Sequence, residues 1–314
     1  MRKINQLDLF SGIGGFHLGF EKAGYKVNSY FSEVDKHAIA VYKHKFKDSE
    51  YVGSVTDVRG TDLPSIDLIT FGSPCQDFSL AGKRKGMEGE RSSLILEAIR
   101  LIGECRPRVF IWENVKGTFS SNSGEDFAAI LQAFADIGGY RLEWQLLNTS
   151  WFLPQNRERI YLVGYSTNTK RNWRGVFPIG EGVGENTVQP KLKFIGAVSD
   201  SKWLDNGKNL SRNFSQGNRV YSDEGIHPAL SSQMGGKAKG GGLIQTPYRI
   251  RRLTPIECER LQGFPDNHTE YGNYDGEVKK MSNTQRYKQC GNAVTVDIVA
   301  LVAEAVKPLL NRTV

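Results

Sequence analysis

Residues Ile66 to Phe71 form a short apolar run that breaks off at Gly72-Ser73-Pro74-Cys75-Gln76. Ile66, Leu68, Ile69 and Phe71 crowd together rather than alternate with polar residues, the pattern of a parallel strand buried on both faces. A strand of that kind needs helices on each side of its sheet, which points the chain toward an α/β fold. In doubly wound sheets ligands gather at the carboxyl ends of the strands, and the turn that follows the run stands at such an end. Cys75 is therefore placed where chemistry happens. A thiol attacks only as its thiolate, and Gln76, Lys83, Arg84 and Lys85 offer a polarising, electropositive setting. A buried structural cysteine is the competing reading of an isolated Cys. The flanking Gly, Pro and Gln weigh against it, since they make Cys75 part of a turn rather than of the strand.

The same strand-then-turn pattern recurs. Gln6 to Phe10 reads as a strand, Ser11-Gly12-Ile13-Gly14-Gly15 as a glycine turn, and Phe16 to Gly24 as a helix with its stop. A second strand, Val27 to Ser32, ends at Glu33, about 20 residues past the turn, where an acidic side chain binds ribose hydroxyls in nucleotide-binding α/β folds. His17 stands where the dinucleotide fingerprint requires a third glycine, which disfavours a nicotinamide oxidoreductase. The pattern predicts a helix over 35–46 and a strand edge over Tyr51–Val55. Residues 76–91, with three glycines around Lys83-Arg84-Lys85, predict a loop able to close over phosphates or, alternatively, a solvated surface loop. Leu94 to Gly103 reads as an amphipathic helix. Val109 to Trp112 is another buried-type strand. It delivers Glu113 to the rim that carries Cys75, where a carboxyl can hold or donate a proton, or pair with a nearby Arg. Helix 126–137, strand 141–148 and strand 160–163 follow, the last led in by Arg157 and Arg159, whose guanidinium groups suit bidentate bonds to a carboxylate, phosphate or base.

The texture changes over residues 166–248, which become glycine-rich, weakly periodic and basic, with eleven Lys and Arg against six Asp and Glu. This segment carries much of the chain's net charge of +7. Interleaved aromatics and the loop around Lys237 and Lys239 suit a nucleic-acid backbone, although a solvated linker has a similar composition. Thr254-Pro255-Ile256-Glu257 is a capping box that opens a short helix. After Gly291-Asn292-Ala293-Val294 an apolar helix runs to Leu310. These features predict a catalytic and cofactor-binding domain of residues 1–165 plus 286–314, interrupted by a smaller domain of residues 166–285. The four cysteines form no CxxC, the histidines show no metal-ligand spacing, and no apolar run approaches a membrane span. With no signal-peptide pattern at the amino end, the expectation is a cytoplasmic protein without a metal or a membrane anchor.

Taken in order, Asp8-Leu-Phe-Ser-Gly-Ile-Gly-Gly15, Gly72-Ser-Pro-Cys-Gln76, Glu113-Asn-Val115, Gln155-x-Arg-x-Arg159, Arg252-Leu-Thr-Pro255, Arg260-Leu-Gln-Gly-Phe-Pro265 and Gly291-Asn-Ala-Val294 resemble the DNA (cytosine-5) methyltransferase family, of the prokaryotic restriction–modification type. The resemblance implies a doubly wound, mostly parallel, Rossmann-like α/β sheet with an inserted DNA-recognition domain, variable over 166–248. It implies S-adenosylmethionine as cofactor, held by Phe10, Ser11, Gly12, Ile13, Gly14, Gly15, Glu33, Val34, Ser54, Val55, Gly72, Pro74, Leu94, Asn292, Ala293 and Val294. Cys75 would be the nucleophile, Glu113 its acid partner, and Arg157 and Arg159 would hold a flipped cytosine and position the site. Gln76, Ser79, Lys83, Arg84, Lys237 and Lys239 would touch DNA. The family commonly has an acidic residue where this chain has Ser54, whose hydroxyl can still accept a hydrogen bond. The implied partner is double-stranded DNA, methylated by a monomer, with a cognate restriction endonuclease acting separately. An orphan or phage enzyme fits as well. The rivals are an RNA methyltransferase on the same domain and a catalytically silent DNA-binding protein.

Overall fold

The computed structural model describes residues 2–72, 93–168, 175–180, 194–199, 202–205, 219–232, 242–247 and 249–310. Strands β1 (Arg2–Leu9), β2 (Tyr25–Ser32), β3 (Glu50–Tyr51), β4 (Leu68–Gly72), β5 (Val109–Val115), β6 (Tyr140–Asn148) and β8 (Glu158–Ser166), with the two-residue β7 (Gln155–Asn156) just before the last, come from the first half of the chain. Seven of them form one sheet in the order β3-β2-β1-β4-β5-β8-β6. β1 to β5 are parallel, and β8 runs antiparallel to both of its neighbours. The mostly parallel sheet expected from the sequence is present, and the chain reverses at β1 and β4, which opens a crevice at their carboxyl ends.

The apolar-rich runs follow from burial on both faces. Leu68, Val109 and Ile111 join Phe16 and Phe20 of α1 (Gly15–Lys22) in one core layer. Their neighbours Ile69, Phe71, Phe110 and Trp112 point into the other layer, against α3 (Ser93–Cys105) and α5 (Glu125–Ala135). Each fully buried Leu, Ile or Phe contributes roughly 1.5–3 kcal/mol relative to exposure, so the sheet is held chiefly by these two layers. α2 (Lys36–Lys45) starts at Asp35, whose carboxylate caps the amide groups of His37 and Ala38, and α4 (Gly117–Ser120) is a single turn.

A second sheet collects β9 (Phe194–Ser199), β10 (Lys202–Asp205), β11 (Arg219–Ser222), β13 (Leu243–Gln245) and β14 (Ile250–Arg252) in the order β10-β9-β11-β13-β14. Between them, β12 (His227–Pro228) pairs with β7 of the first half. The capping box then opens α6 (Pro255–Leu261) as the sequence predicts, with Arg251 bonded to the capping residue Glu257 at 2.8 Å. A hairpin of β15 (Tyr271–Tyr274) and β16 (Glu277–Lys280) packs on α2, and Phe264 and Met281 share a core with Ile13 and Val41. Residues 255–281 thus touch the glycine turn and α2 directly.

α7 (Asn283–Asn292), α8 (Val296–Ala305) and α9 (Lys307–Leu310) close the chain. Buried Glu259 accepts from Arg286 Nη2 at 2.9 Å and so ties α6 to α7. Gln262 donates to Cys290 O at 2.7 Å and its carbonyl accepts from Val296 N at 2.9 Å, which fixes the junction between α7 and α8. Several element boundaries differ from the sequence reading; β1, for example, starts at Arg2 rather than Gln6. The strand expected over Tyr51–Val55 is only Glu50–Tyr51, because Gly53 at φ 92° turns the chain into a bend. β5 runs on through Glu113 to Val115, where pairing with β8 continues to Arg159. The apolar helix expected after Val294 is divided into α8 and α9, and a further helix, α7, ends just before the extended Ala293.

Candidate active site

A cavity of about 600 Å³ opens at the carboxyl ends of the central strands. Its size falls within the roughly 300–1,000 Å³ of small-molecule sites. Phe10 turns the chain from β1 into the glycine segment at φ 52°, a costly conformation for a residue other than glycine and one that concentrates at functional sites. α1 then starts against the α7–α8 junction. A side chain at Gly15 would stand 2.6 Å from Val294 Cγ2, so only glycine allows these two walls to meet.

Beneath the turn lies a buried polar chain. Thr70 donates to Asp8 Oδ1 at 2.8 Å across the β1–β4 register, Tyr42 approaches Oδ2 at 3.4 Å, and Ser29 and His17 reach the Tyr42 hydroxyl. Burial pushes the Asp8 carboxyl up to about 8, so it carries a proton at neutral pH. At the end of β2, Glu33 accepts backbone N–H bonds from Gly12 at 2.9 Å, Val34 at 2.7 Å and Asp35 at 2.9 Å. Its carboxylate is thereby fixed on the cavity wall. Val34 beside it is 75 % exposed although apolar, a surface that a flat ring can cover.

The far end of the cavity holds charge. Glu113, opposite Gly72 in the β4–β5 register, has Oε1 3.1 Å from Arg159 Nε, with both side chains mostly buried. Arg157 is 3 % exposed and donates to the carbonyls of Ala293 at 2.8 Å and Leu230 at 3.3 Å, with Gly291 O at 3.4 Å. It works as a clamp between the α7–α8 junction and the segment after β12, which Gln155 also holds by accepting from Leu230 N at 2.8 Å. Gly291 permits the crossing, because a side chain there would collide with the backbone of Ser231 and Ser232.

A sequence model of the C-5 cytosine-specific DNA methylases matches residues 4–231 and 201–308. The type II methyltransferase M.Bsp6I of Bacillus sp. (strain RFL6) is 32 % identical over 313 residues, 94 % of this chain and 96 % of that one. The chain belongs to the C-5 cytosine-specific DNA methylase family. The type II methyltransferase M.HhaI of Haemophilus parahaemolyticus is 31 % identical, over 97 % of this chain and 94 % of its own. Among solved structures, the S. pombe Dnmt2 methyltransferase superposes with a TM-score of 0.70 at 18 % identity, covering 98 % of this chain and 99 % of that one, a likeness of fold.

The protein is thus a DNA (cytosine-5) methyltransferase of the prokaryotic restriction–modification type, and membership implies S-adenosylmethionine as methyl donor. Of the residues that the sequence singles out, Phe10, Ser11, Gly12, Ile13, Gly15, Glu33, Val34, Ser54, Val55, Gly72, Leu94, Glu113, Arg157, Arg159, Asn292, Ala293 and Val294 line this one cavity. Gly14 does not line it, and packs on the ring of Phe46 instead. Pro74, Cys75, Gln76, Ser79, Lys83, Arg84, Lys237 and Lys239 lie outside the described residues. Asp35, Leu230, Ser231, Ser232, Lys288 and Gln289 line the methyltransferase's cavity without having been singled out. Lys288 and Gln289 adjoin the Gly291 motif, and their place on the same helix was the available signal.

The donor set fits the cofactor. Ser11 Oγ and both amide atoms of Gln289 are buried on the cavity wall with no hydrogen-bond partner among the described residues. Such groups cost about 1–3 kcal/mol each unless a ligand or water completes them. The three described thiols are elsewhere: burial pushes Cys105 up to about 11 and raises Cys258 and Cys290 well above the usual range. None of the three lines the cavity. Among the described residues no cluster of His, Cys, Asp and Glu could hold a metal, and no helix is long and apolar enough to cross a membrane.

Proposed function

We propose that the methyltransferase marks one cytosine within a specific double-stranded DNA sequence, using Cys75 as a covalent nucleophile. The observation that carries this reading is the meeting of the Glu113–Arg159 pair with the glycine turn and Glu33 in one cavity, at the end of the strand that leads to Cys75. Burial raises the other three thiols and none of them lines that cavity, which supports Cys75 as the nucleophile.

Cytosine C5 is a weak nucleophile, and attack of the Cys75 thiolate on C6 gives it enamine character. Glu113, steadied by Arg159, supports that attack by proton donation at N3, where negative charge develops. S-adenosylmethionine, when bound, supplies an electrophilic methyl group. Glu33 and the Gly12–Gly15 turn would hold its ribose and amino-acid parts, Val34, Ser54, Val55 and Leu94 its adenine, and Asn292–Val294 the opposite wall. A base then removes the C5 proton and the Cys75 thiolate leaves. Stacked DNA offers no access to C6, so the target base must be flipped into the cavity.

Residues 166–285 would form the target-recognition domain, with sequence choice in 166–248, and residues 1–165 plus 286–314 the catalytic domain. Gln76, Ser79, Lys83 and Arg84 would close on the DNA backbone, joined by Lys237 and Lys239. We place the enzyme in the cytoplasm as a monomer, paired with a separate restriction endonuclease or acting alone. Incubation with labelled S-adenosylmethionine and genomic DNA, followed by nucleoside analysis, tests the reading. Label in 5-methyldeoxycytidine is expected. Label in another nucleoside, or in RNA in preference to DNA, would overturn it.

A further inference from the structure

The Glu113–Arg159 pair stands at one edge of the sheet, and that edge has an outer side that the chemistry does not use. β5 and β8 are paired as far as Val115 and Arg159, and β8 and β6 as far as Glu158 and Asn148, so the three strands reach the edge together. Successive side chains of a strand point to opposite faces. Val115 and Arg159 line the cavity, whereas Lys116 and Glu158, next to them in sequence, do not. Lys116 Nζ instead lies 2.9 Å from Glu158 Oε2 and 3.1 Å from Oε1, with the two side chains 58 % and 36 % exposed.

The surface around this pair is unusual for one that only meets water. Phe119 N donates to Lys116 O one turn on, and the Phe119 ring is exposed, 5.3 Å from the equally exposed ring of Trp144. Exposed apolar surface beside a cation suits a sugar–phosphate chain, in which an anionic group alternates with an apolar ring. Position points the same way. A base swung into the cavity stays tethered to its backbone, and the backbone must lie across the mouth. Lys116 is three residues beyond Glu113, and its partner Glu158 adjoins Arg159, so its ammonium group stands beside the pair that receives the base.

We infer that Lys116 binds a phosphodiester flanking the flipped nucleotide, and that Glu158 holds its ammonium group on the rim until DNA arrives. This rests on the DNA-methylating reading proposed above, and it adds a backbone contact from the catalytic domain's own rim. An ion pair this exposed is weak, so a phosphate can replace the carboxylate. Glu158 thereby competes with DNA for Lys116, and removing the two partners should have opposite effects.

Fluorescence anisotropy reads those effects across a series of salt concentrations. The full-length protein, with S-adenosylhomocysteine present, is titrated into a labelled duplex carrying the methylated sequence, which is mapped by sequencing genomic DNA after incubation with the enzyme. Lys116→Gln is expected to weaken binding roughly three- to tenfold at low salt and to make the slope of log affinity against log salt shallower by about 0.9, the share of one phosphate contact. Lys116→Arg should stay within about twofold of the wild type, because it keeps the charge. Glu158→Gln should bind up to about threefold tighter at low salt, and it carries the test if circular dichroism shows that Lys116→Gln is unfolded. An uncharged methylphosphonate on one side of the target cytosine should weaken the wild type and leave Lys116→Gln unaffected. A Lys116→Gln protein with the wild-type slope, or Glu158→Gln weakened to match it, would reduce the pair to a surface tie and overturn the inference. Losses from Lys116→Gln and from methylphosphonates on both sides that simply add would also overturn it. A wild-type protein that binds no duplex DNA would sink the DNA-methylating reading, and this inference with it.

Discussion

Adding one methyl group at Gly15 probes the contact that sets the width of the cavity at this wall. In Gly15→Ala the new Cβ would stand 2.6 Å from Val294 Cγ2, 3.1 Å from Val294 O and 3.4 Å from Phe264 Cζ. Carbon atoms rest at roughly 3.5–4.0 Å, so Val294 must retreat by about 1 Å or α1 must tilt away. Overpacking on this scale costs about 1–3 kcal/mol. Gly15 and Val294 both line the cavity, so the displacement also spoils the cofactor's fit, and strain expressed wholly there lowers affinity about 5- to 150-fold. Urea denaturation and calorimetric titration with S-adenosylmethionine measure the two shares. Val294→Ala removes Cγ2 and should restore most of the loss, giving a coupling energy of about 0.5–3 kcal/mol in a double-mutant cycle. Strictly additive losses, or a Gly15→Ala protein unchanged in both assays, would refute the contact as the determinant.

Glu113→Gln keeps the shape beside Arg159 but removes the proton donor, so the single-turnover rate should fall about 10²- to 10⁴-fold with DNA and cofactor affinity nearly unchanged; a defect explained by affinity alone would exclude the role. Asp8 supplies a pH test. Its folded carboxyl is raised from the ordinary 3.8 to about 8, so the folded state holds the proton more tightly than the unfolded chain. Its contribution is full below about pH 4 and is lost as pH climbs toward about 8, at up to about 1.4 kcal/mol per pH unit. Asp8→Asn should lose that slope in urea denaturation at stepped pH, and a slope identical to the wild type would assign it to other groups. Exchanging residues 166–248 for those of a relative with different specificity should move methylation to the donor's sequence, each good bidentate base contact being worth about 1–3 kcal/mol. A folded, active chimera that still marks the original sequence would place recognition elsewhere.

Local pattern made much of the site legible. Leu7–Phe10, Ile66–Phe71 and Val109–Trp112 are rich in apolar residues because the sheet buries both of their faces, and parallel strands necessarily bring their carboxyl ends to one edge. Glu33, Gly72 and Glu113 could therefore be placed on that edge from sequence spacing. Contacts between distant segments were not legible in the same way. Gly291 is a glycine because Ser231 and Ser232 cross it, and Arg157 turns toward Leu230, Gly291 and Ala293, approaches fixed only when the chain folds. The short β3 shows the local limit, since Gly53 at a positive φ overrides the extended tendency of its neighbours.

The claim that Cys75 attacks the target base is tested most directly by trapping the adduct. DNA made with 5-fluorodeoxycytidine in place of deoxycytidine cannot release the C5 substituent as a proton, so the enzyme should stall after methyl transfer with its sulfur still bonded to C6. Incubation with S-adenosylmethionine, denaturation and peptide mass spectrometry would locate that bond. A denaturation-resistant complex whose only modified residue is Cys75, absent from Cys75→Ala, is the expected result. An adduct at Cys105, Cys258 or Cys290, or efficient methylation of ordinary DNA by Cys75→Ala, would contradict the mechanism.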